Sequence, residues 1–299
     1  MGRGTLPAME VHLVDGTYEL FRHFFAVPRR QDREGNEVGA AVAVAGSVLS
    51  MIRDGATHVG VATDHVIESF RNQLWPGYKT GEGIEPELKA QFPVLEEVLA
   101  AVGLVVWAMV EYEADDAMAT AARVAAADDR VDRVLICSPD KDLCQCVVGD
   151  RVVTFDRRKG ELRDAAAVRE RFGVEPESIP DWLALVGDSA DGFPGVPGWG
   201  AKTASAMLAR YRHVEEIPED PEDWEPSVRG PTRLAEALRE HRDELEIFKD
   251  LATLRTEAIG LDDVDHLRWS GPAPQLSEVC ERLDAEALAR QARSLGTGR

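Results

Sequence analysis

The 299-residue sequence predicts an α/β fold, with a largely parallel central sheet flanked by helices, followed by a small all-α region. Three observations point there. Short apolar runs that lead into an acid, such as VHLVD, HVGVATD and RVLICSPDKD, alternate with helical periodicity over the first half of the chain. Such alternation builds βαβ units and parallel strands. After Asp164 the strand signals stop and short helical segments broken by Gly and Pro take over. Hydrophobic residues make up 44% of the chain, enough to build a packed core.

The elements follow in order. Met1 to Ala8 reads as a loose leader. Val11 to Asp15 is the first buried strand and Thr17 to Phe25 the helix after it. Arg29 to Gly35 is a polar loop, and Val38 to Arg53 is helical, stopping at Gly55. His58 to Thr63 is the second strand. Asp64 to Gly83 is irregular, with Pro76, Gly77, Gly81 and Gly83. Pro86 opens a helix to about Val102, with Gly103 as its stop. Leu104 to Met109 is the third strand, Ala114 to Ala127 a helix, and Arg133 to Cys137 the fourth strand. Arg151 to Phe155 and a return near Glu161 form an edge hairpin. Helices then cover Asp164 to Phe172, Ile179 to Val186, Ala201 to Tyr211, Thr232 to Glu240 and Glu244 to Thr253. Pro218 to Pro231 is an acidic, Pro-rich surface loop, and Leu276 to Ser294 a final amphipathic helix.

Composition excludes several classes. No apolar stretch reaches the ~18 residues of a membrane span, and MGRGTLPAME lacks the apolar stretch of a signal peptide. A cytoplasmic location with no membrane partner is expected. Cys137, Cys144, Cys146 and Cys280 form no CxxC pair and read as buried reduced thiols. The seven histidines show no HExxH spacing, which disfavours a zinc enzyme. The net charge of −20 is awkward for a duplex binder, which usually presents a basic face.

Nine acids recur where strands end or helices begin: Asp15, Asp64, Glu113, Asp115, Asp116, Asp140, Asp142, Asp188 and Asp191. Taken singly, each group has a plain structural reading. Asp15 and Asp64 suit helix caps, the E-A-D-D of 113–116 suits a helix dipole, and Asp188 and Asp191 suit turns. Their joint recurrence favours a metal cluster. In an open α/β sheet, ligands gather at the carboxyl ends of strands. Two charges ~4 Å apart repel by roughly 4 kcal/mol at an effective dielectric near 20. Divalent cations relieve that repulsion, and clustered oxygen ligands suit Mg²⁺ and Mn²⁺. Metal-assisted chemistry on phosphate is therefore expected.

The second signal is Gly195-Val-Pro-Gly-Trp-Gly-Ala-Lys-Thr203. Gly195, Gly198 and Gly200 allow a close backbone approach, and the helix from Ala201 offers amides and a positive dipole end to a phosphate. Lys202 and Thr203 add charge and a hydroxyl. A nucleotide P-loop needs Gly-Lys-Ser/Thr, but here Ala201 separates Gly200 from Lys202. The pattern is instead similar to a helix–hairpin–helix clamp on a nucleic-acid backbone, with a tight helix–helix packing turn as the plainer reading.

With both signals together, the chain resembles the bacterial 5′-nuclease family of flap endonucleases and 5′–3′ exonucleases. LVDGTYELFR, SFRNQLWPGYK, EYEADD, SPDKDL and GDSADGFPGVPGWGAKTA carry the likeness. The resemblance implies a PIN-like nuclease domain over residues 1–175 with a helical arch around 70–95. A helix–three-turn–helix DNA-binding domain over 176–265 and a C-terminal extension over 266–299 would follow, in a stand-alone form without a polymerase. It places Asp15, Asp64, Glu113, Asp115 and Asp116 in a first metal group, and Asp140, Asp142, Asp188 and Asp191 in a second. Arg22 falls where the family has a basic residue beside the scissile phosphate, and Lys79 at the arch-base lysine. Tyr78 falls where a ring stacks on a base, and Arg71 at a basic DNA-binding position. From the residues alone, Arg22 equally suits pairing with an acid and Tyr78 ordinary packing. The likeness also permits a potassium ion at the hairpin loop. One departure stands out. Relatives commonly read YKANR or YKGNR, whereas this chain reads Tyr78-Lys79-Thr80-Gly81-Glu82, so the basic residue is replaced by Glu82 or shifted away.

The expected function is a monomeric, structure-selective 5′ nuclease acting on DNA with 5′ ends, flaps or nicks. It would hydrolyse phosphodiesters by attack of water assisted by two or more Mg²⁺ or Mn²⁺ ions, in replication and repair. A D-x-D phosphatase with Asp140 as nucleophile is the first alternative, but it has no use for the glycine hairpin. A DNA-junction-binding protein with an inactive nuclease fold and an RNA-cleaving PIN protein are the others.

Overall fold

The computed structural model describes residues 9–297, so the leader expected over Met1 to Ala8 lies outside the described residues. The chain forms two compact units. The first takes the residues up to 67, then 81–138 and 255 onward, while the second takes 68–80 and 139–254. The units therefore interleave along the sequence. No helix among the described residues is long and apolar enough to cross a membrane.

In the first unit, β1 (Met9–Asp15), β2 (His58–Asp64), β3 (Val105–Met109) and β4 (Val131–Cys137) lie in the order β3-β2-β1-β4. All neighbours run parallel, with Leu13 beside Gly60 and Ile136, and Gly60 beside Val105. β2 is buried along nearly its whole length, which explains the apolar run HVGVAT in place of alternation. The Ala114–Ala126 helix packs on β1 and β4, Gly16–Phe24 on β2, and Gln91–Ala101 on β3. Gly16 lets its helix spring directly from β1. A Cβ there would lie 2.8 Å from the Ala62 carbonyl oxygen.

Two expected helices are divided. The one predicted over 86–102 forms as Pro86–Lys89 and Gln91–Ala101. Pro93 has no N–H for the Lys89 carbonyl, and its ring crowds that carbonyl. The final helix forms as Leu276–Arg282 and Glu286–Gly296, separated by Asp284 at φ 52°. Asp is among the few residues that tolerate this left-handed geometry. The second piece packs on the first and on the Gly39–Arg53 helix, burying Leu288, Ala289 and Ala292. Trp269 is also buried, and its indole N–H donates to the Val102 carbonyl at 2.8 Å.

The second unit pairs β5 (Val152–Asp156) with β6 (Glu161–Arg163) in an antiparallel hairpin. The Asp156 carboxylate closes its turn by accepting from the Arg158 and Lys159 amides. Helices Ala165–Phe172, Ile179–Val186, Ala201–Tyr211, Pro231–Glu240 and Arg242–Ala252 enclose a core containing Leu183, Phe193, Trp199, Met207 and Phe248. Phe193 stacks on Phe248 at 5.6 Å, and Trp75 meets the same ring edge-on at 5.0 Å. The segment 75–85, expected within a helical arch, has no helix, as Gly77, Gly81 and Gly83 lead one to expect.

Candidate metal centre

The parallel topology of the first unit delivers its acids to one end of the sheet. Asp15 ends β1 and Asp64 ends the neighbouring β2. Asp15 is buried and caps the Gly16–Phe24 helix, accepting from the Tyr18 amide at 2.8 Å. Its other oxygen accepts from the Ser138 hydroxyl at 2.8 Å. Asp64 accepts from the Ala114 amide at 2.8 Å, which ties β2 to the start of the Ala114–Ala126 helix. Glu113 and Asp116 form a capping box at that start, where each side chain accepts from the other's backbone amide. Asp116 is fully buried, and its second oxygen accepts from the Arg255 amide at 2.8 Å. Backbone amides thus engage both of its oxygens. Asp115 is half-buried on the same turn.

The second unit holds a tighter group. Ligand oxygens of Asp142, Asp188 and Asp191 all lie within 4.8 Å of one another. Asp142 sits at the start of a short 3₁₀ turn, Asp142–Cys146, and its amide donates to Asp140 at 3.1 Å. Asp188 opens the turn before the glycine loop, where its backbone carbonyl accepts from Gly192 and Phe193. Asp142 is 6% exposed, and its Oδ1 has no hydrogen-bond partner. A buried, unpaired carboxylate oxygen beside two further carboxylates is a strongly disfavoured arrangement in the absence of a cation. Burial, and then the charges of Asp140, Asp191 and Asp188, push the Asp142 carboxyl well above the ordinary carboxylate range. The donor set is all oxygen, which fits a hard divalent cation. Among the described residues no acids of the first unit gather so closely.

Two lysines serve this second group. Lys141 donates to Asp188 Oδ2 at 2.5 Å. Burial alone would lower the Lys141 ammonium, but the bond to Asp188 and the charges of Asp142 and Asp140 outweigh it and raise it. Lys79 reaches Asp191 twice, by its ammonium at 3.1 Å and by its amide to the Asp191 carbonyl at 3.0 Å. The backbone approach beside this contact depends on glycine, since a Cβ on Gly192 would lie 2.0 Å from the Gly77 carbonyl oxygen.

Three expected DNA contacts take interior positions instead. Arg71 is 1% exposed and donates to the Leu251 carbonyl at 2.8 Å and the Thr253 carbonyl at 3.2 Å. It satisfies the C-terminal carbonyls of the Arg242–Ala252 helix, where a cation also suits the dipole. Tyr78 is 3% exposed in the core of the second unit, so its ring is not available to a base. Gly195 is buried, with φ 72°, and a Cβ there would lie 2.4 Å from the Gly187 amide nitrogen. Its role is a close backbone crossing. Gly198, Gly200 and Lys202 are exposed and Thr203 is half-buried, at the start of the Ala201–Tyr211 helix. Buried Trp199 anchors that loop by donating to the Leu234 carbonyl at 3.2 Å. Arg22 pairs with Glu19, one turn back on its own helix, rather than with one of the nine acids.

Sequence reasoning passed over Glu19, Lys141 and Ser138. The three-residue spacing of Glu19 and Arg22 signals a helical pair. Lys141 stands between Asp140 and Asp142 in the quoted SPDKDL. Nothing in the sequence marks Ser138 as the partner of Asp15.

The family model described as 5′-3′ exonuclease, N-terminal resolvase-like domain, matches residues 10–173, and that described as 5′-3′ exonuclease, C-terminal SAM fold, matches 174–275. The chain is 31% identical over 284 residues to a 5′-3′ exonuclease of Aquifex aeolicus, covering 94% of each. It is 36% identical over 265 residues to DNA polymerase I of Bacillus subtilis, covering 87% of this chain and 29% of that protein's length. A bacteriophage T5 flap endonuclease, solved as a pseudo-enzyme-product complex with DNA and metal ions, matches with a TM-score of 0.66 and 20% identity. That match covers 92% of this chain and 99% of the phage chain, and it speaks to the fold alone. On its sequence, this chain belongs to the 5′-3′ exonuclease family.

Proposed function

We propose that the chain is a structure-selective 5′ nuclease, acting as 5′–3′ exonuclease and flap endonuclease on DNA in replication and repair, as a monomer in the cytoplasm. The observation that carries the reading is the buried, oxygen-only group of Asp142, Asp188 and Asp191 with its unpartnered Oδ1, in a chain of this family. Divalent ions, Mg²⁺ or Mn²⁺, would be held by that group with Asp140, and by Asp15, Asp64, Glu113 and Asp115 in the first unit. Asp116 belongs to that first group too: its oxygens accept from amides, as both Asp15 oxygens accept hydrogen bonds, and it also fixes the helix start that carries Glu113 and Asp115. When bound, such ions supply Lewis-acid activation of water and stabilise charge on phosphate oxygens.

The chain's own residues do the rest. Arg22 and Lys79 stabilise the charge that develops on the phosphate. Glu19 fixes the Arg22 guanidinium, so little ordering is left to pay for when substrate binds. Gly198, Gly200, Lys202 and Thr203 present amides, a cation and a hydroxyl to the DNA backbone, so selection is by shape rather than base sequence. A potassium ion at this loop is part of the same reading.

The test is a panel of 5′-labelled flap, nicked and blunt DNA duplexes with an RNA counterpart, with Mn²⁺ or EDTA. Asp115→Ala and Asp140→Ala should each abolish Mn²⁺-dependent cleavage while leaving flap binding nearly intact. Undiminished turnover in both variants would remove the mechanism, and cleavage of RNA alone would remove the substrate.

A further inference from the structure

The second acidic group already contains a cation. Lys141 lies between Asp140 and Asp142 in the chain, and its ammonium is held by Asp188 at 2.5 Å. Asp188 is one of the three acids whose ligand oxygens lie within 4.8 Å of one another. Asp142, beside it, keeps an unpartnered buried oxygen, so the ammonium neutralises one carboxylate and leaves another unsatisfied. An ammonium offers three donors to carboxylates but only one charge. It is a partial substitute for a divalent ion.

We propose that Lys141 is the resident counter-ion of this group, and that a divalent cation binds by displacing it from Asp188. The proposal rests on the metal reading given above and deepens it. Lys141 is then a positioning residue with two states. Without metal it blocks a ligand oxygen and limits the repulsion among the acids. With metal its ammonium leaves Asp188 and turns outward, where its charge is free to meet a phosphate. The lysine therefore raises the metal concentration needed for loading, and it holds the metal-free fold together. Lys79 at Asp191 differs, because its own amide also bonds the Asp191 carbonyl and keeps it in place.

The experiment is a calorimetric Mn²⁺ titration, without DNA, of the full chain, Lys141→Met and Asp142→Asn. Removing a competitor held by a hydrogen bond between charged groups should tighten Mn²⁺ binding about tenfold or more. Met keeps the length of the side chain and its packing. The second readout follows the lysine itself. The chain has six lysines, few enough for each ¹³C-methylated amine to be resolved by NMR. The Lys141 resonance should shift on adding diamagnetic Mg²⁺ in the full chain, and Asp142→Asn should abolish the shift. Unchanged or weaker Mn²⁺ binding by Lys141→Met, or a Lys141 resonance indifferent to Mg²⁺ while Mn²⁺ binds, overturns the displacement but leaves the metal reading standing. If Asp142→Asn binds Mn²⁺ as the full chain does, the metal reading of this group fails as well.

Discussion

Replacing Asp142 by Asn should stabilise the protein without metal and weaken it relative to the parent when metal is present. Oxygens of Asp142, Asp188 and Asp191 lie within 4.8 Å of one another. At an effective dielectric near 20, each pair of charges at that distance repels by about 3.5 kcal/mol. Asp142 faces two such partners. Lys141 offsets only a small part, but a buried amide has hydrogen-bonding needs of its own. A net gain of about 2 kcal/mol for Asp142→Asn is expected, or roughly 5 °C in melting temperature. The sign depends on pH. Because the folded state raises the Asp142 carboxyl, folding favours its protonated form. That stability is present below the unfolded value near ~3.9 and is lost as pH rises toward the folded value. The advantage of Asn should therefore vanish near pH 4 and open as pH rises. With Mn²⁺ at about 100 times its dissociation constant, the parent gains about 2.7 kcal/mol and overtakes the variant. The assay is a thermal melt from pH 4 to 8 in EDTA and in Mn²⁺. A variant that melts below the parent in EDTA at pH 8, or gains as much from Mn²⁺, refutes the reasoning.

Other expectations concern the frame around the site. Arg71→Met should cost about 2–4 kcal/mol in a denaturant titration, since the Leu251 and Thr253 carbonyls lose their donor. Lys202→Ala should leave that titration unchanged but weaken flap binding and lower its salt slope by about one. Gly192→Ala should cost more than about 2 kcal/mol, because a Cβ would strike the Gly77 carbonyl. Gly83→Ala, at a similar positive φ but in open space, should cost only about 1 kcal/mol, and equal losses would refute the close-approach argument. Trp269→Ala should cost about 3–5 kcal/mol by the same titration.

Strand ends and helix starts were legible in the sequence because apolar runs, caps and glycines act locally. Asp15 and Asp64 stand where the runs VHLV and HVGVAT place them, at the ends of adjacent parallel strands. Both split helices carried local marks, Pro93 and Asp284, that amphipathic periodicity overrode. The side chains of Arg71 and Tyr78 were not legible, because burial is decided by distant chain. Arg71 finds its carbonyls 180 and 182 positions away. A basic residue bound inward has the same local sequence as one that faces a ligand. Lys141 was hidden for another reason: two metal-ligand candidates on either side of it drew the chemistry to themselves.

The interleaving of the two units has a consequence for how the molecule comes into being. A ribosome delivers the chain in one direction, so the first unit's β1 to β4 emerge early and wait. Trp269 and the Glu286–Gly296 helix, which cover Val102 and the Gly39–Arg53 helix, arrive only after the whole second unit has been made. Until then a nascent chain carries uncovered apolar surface on its earliest-made part, and a fragment stopped near residue 254 would keep that surface permanently.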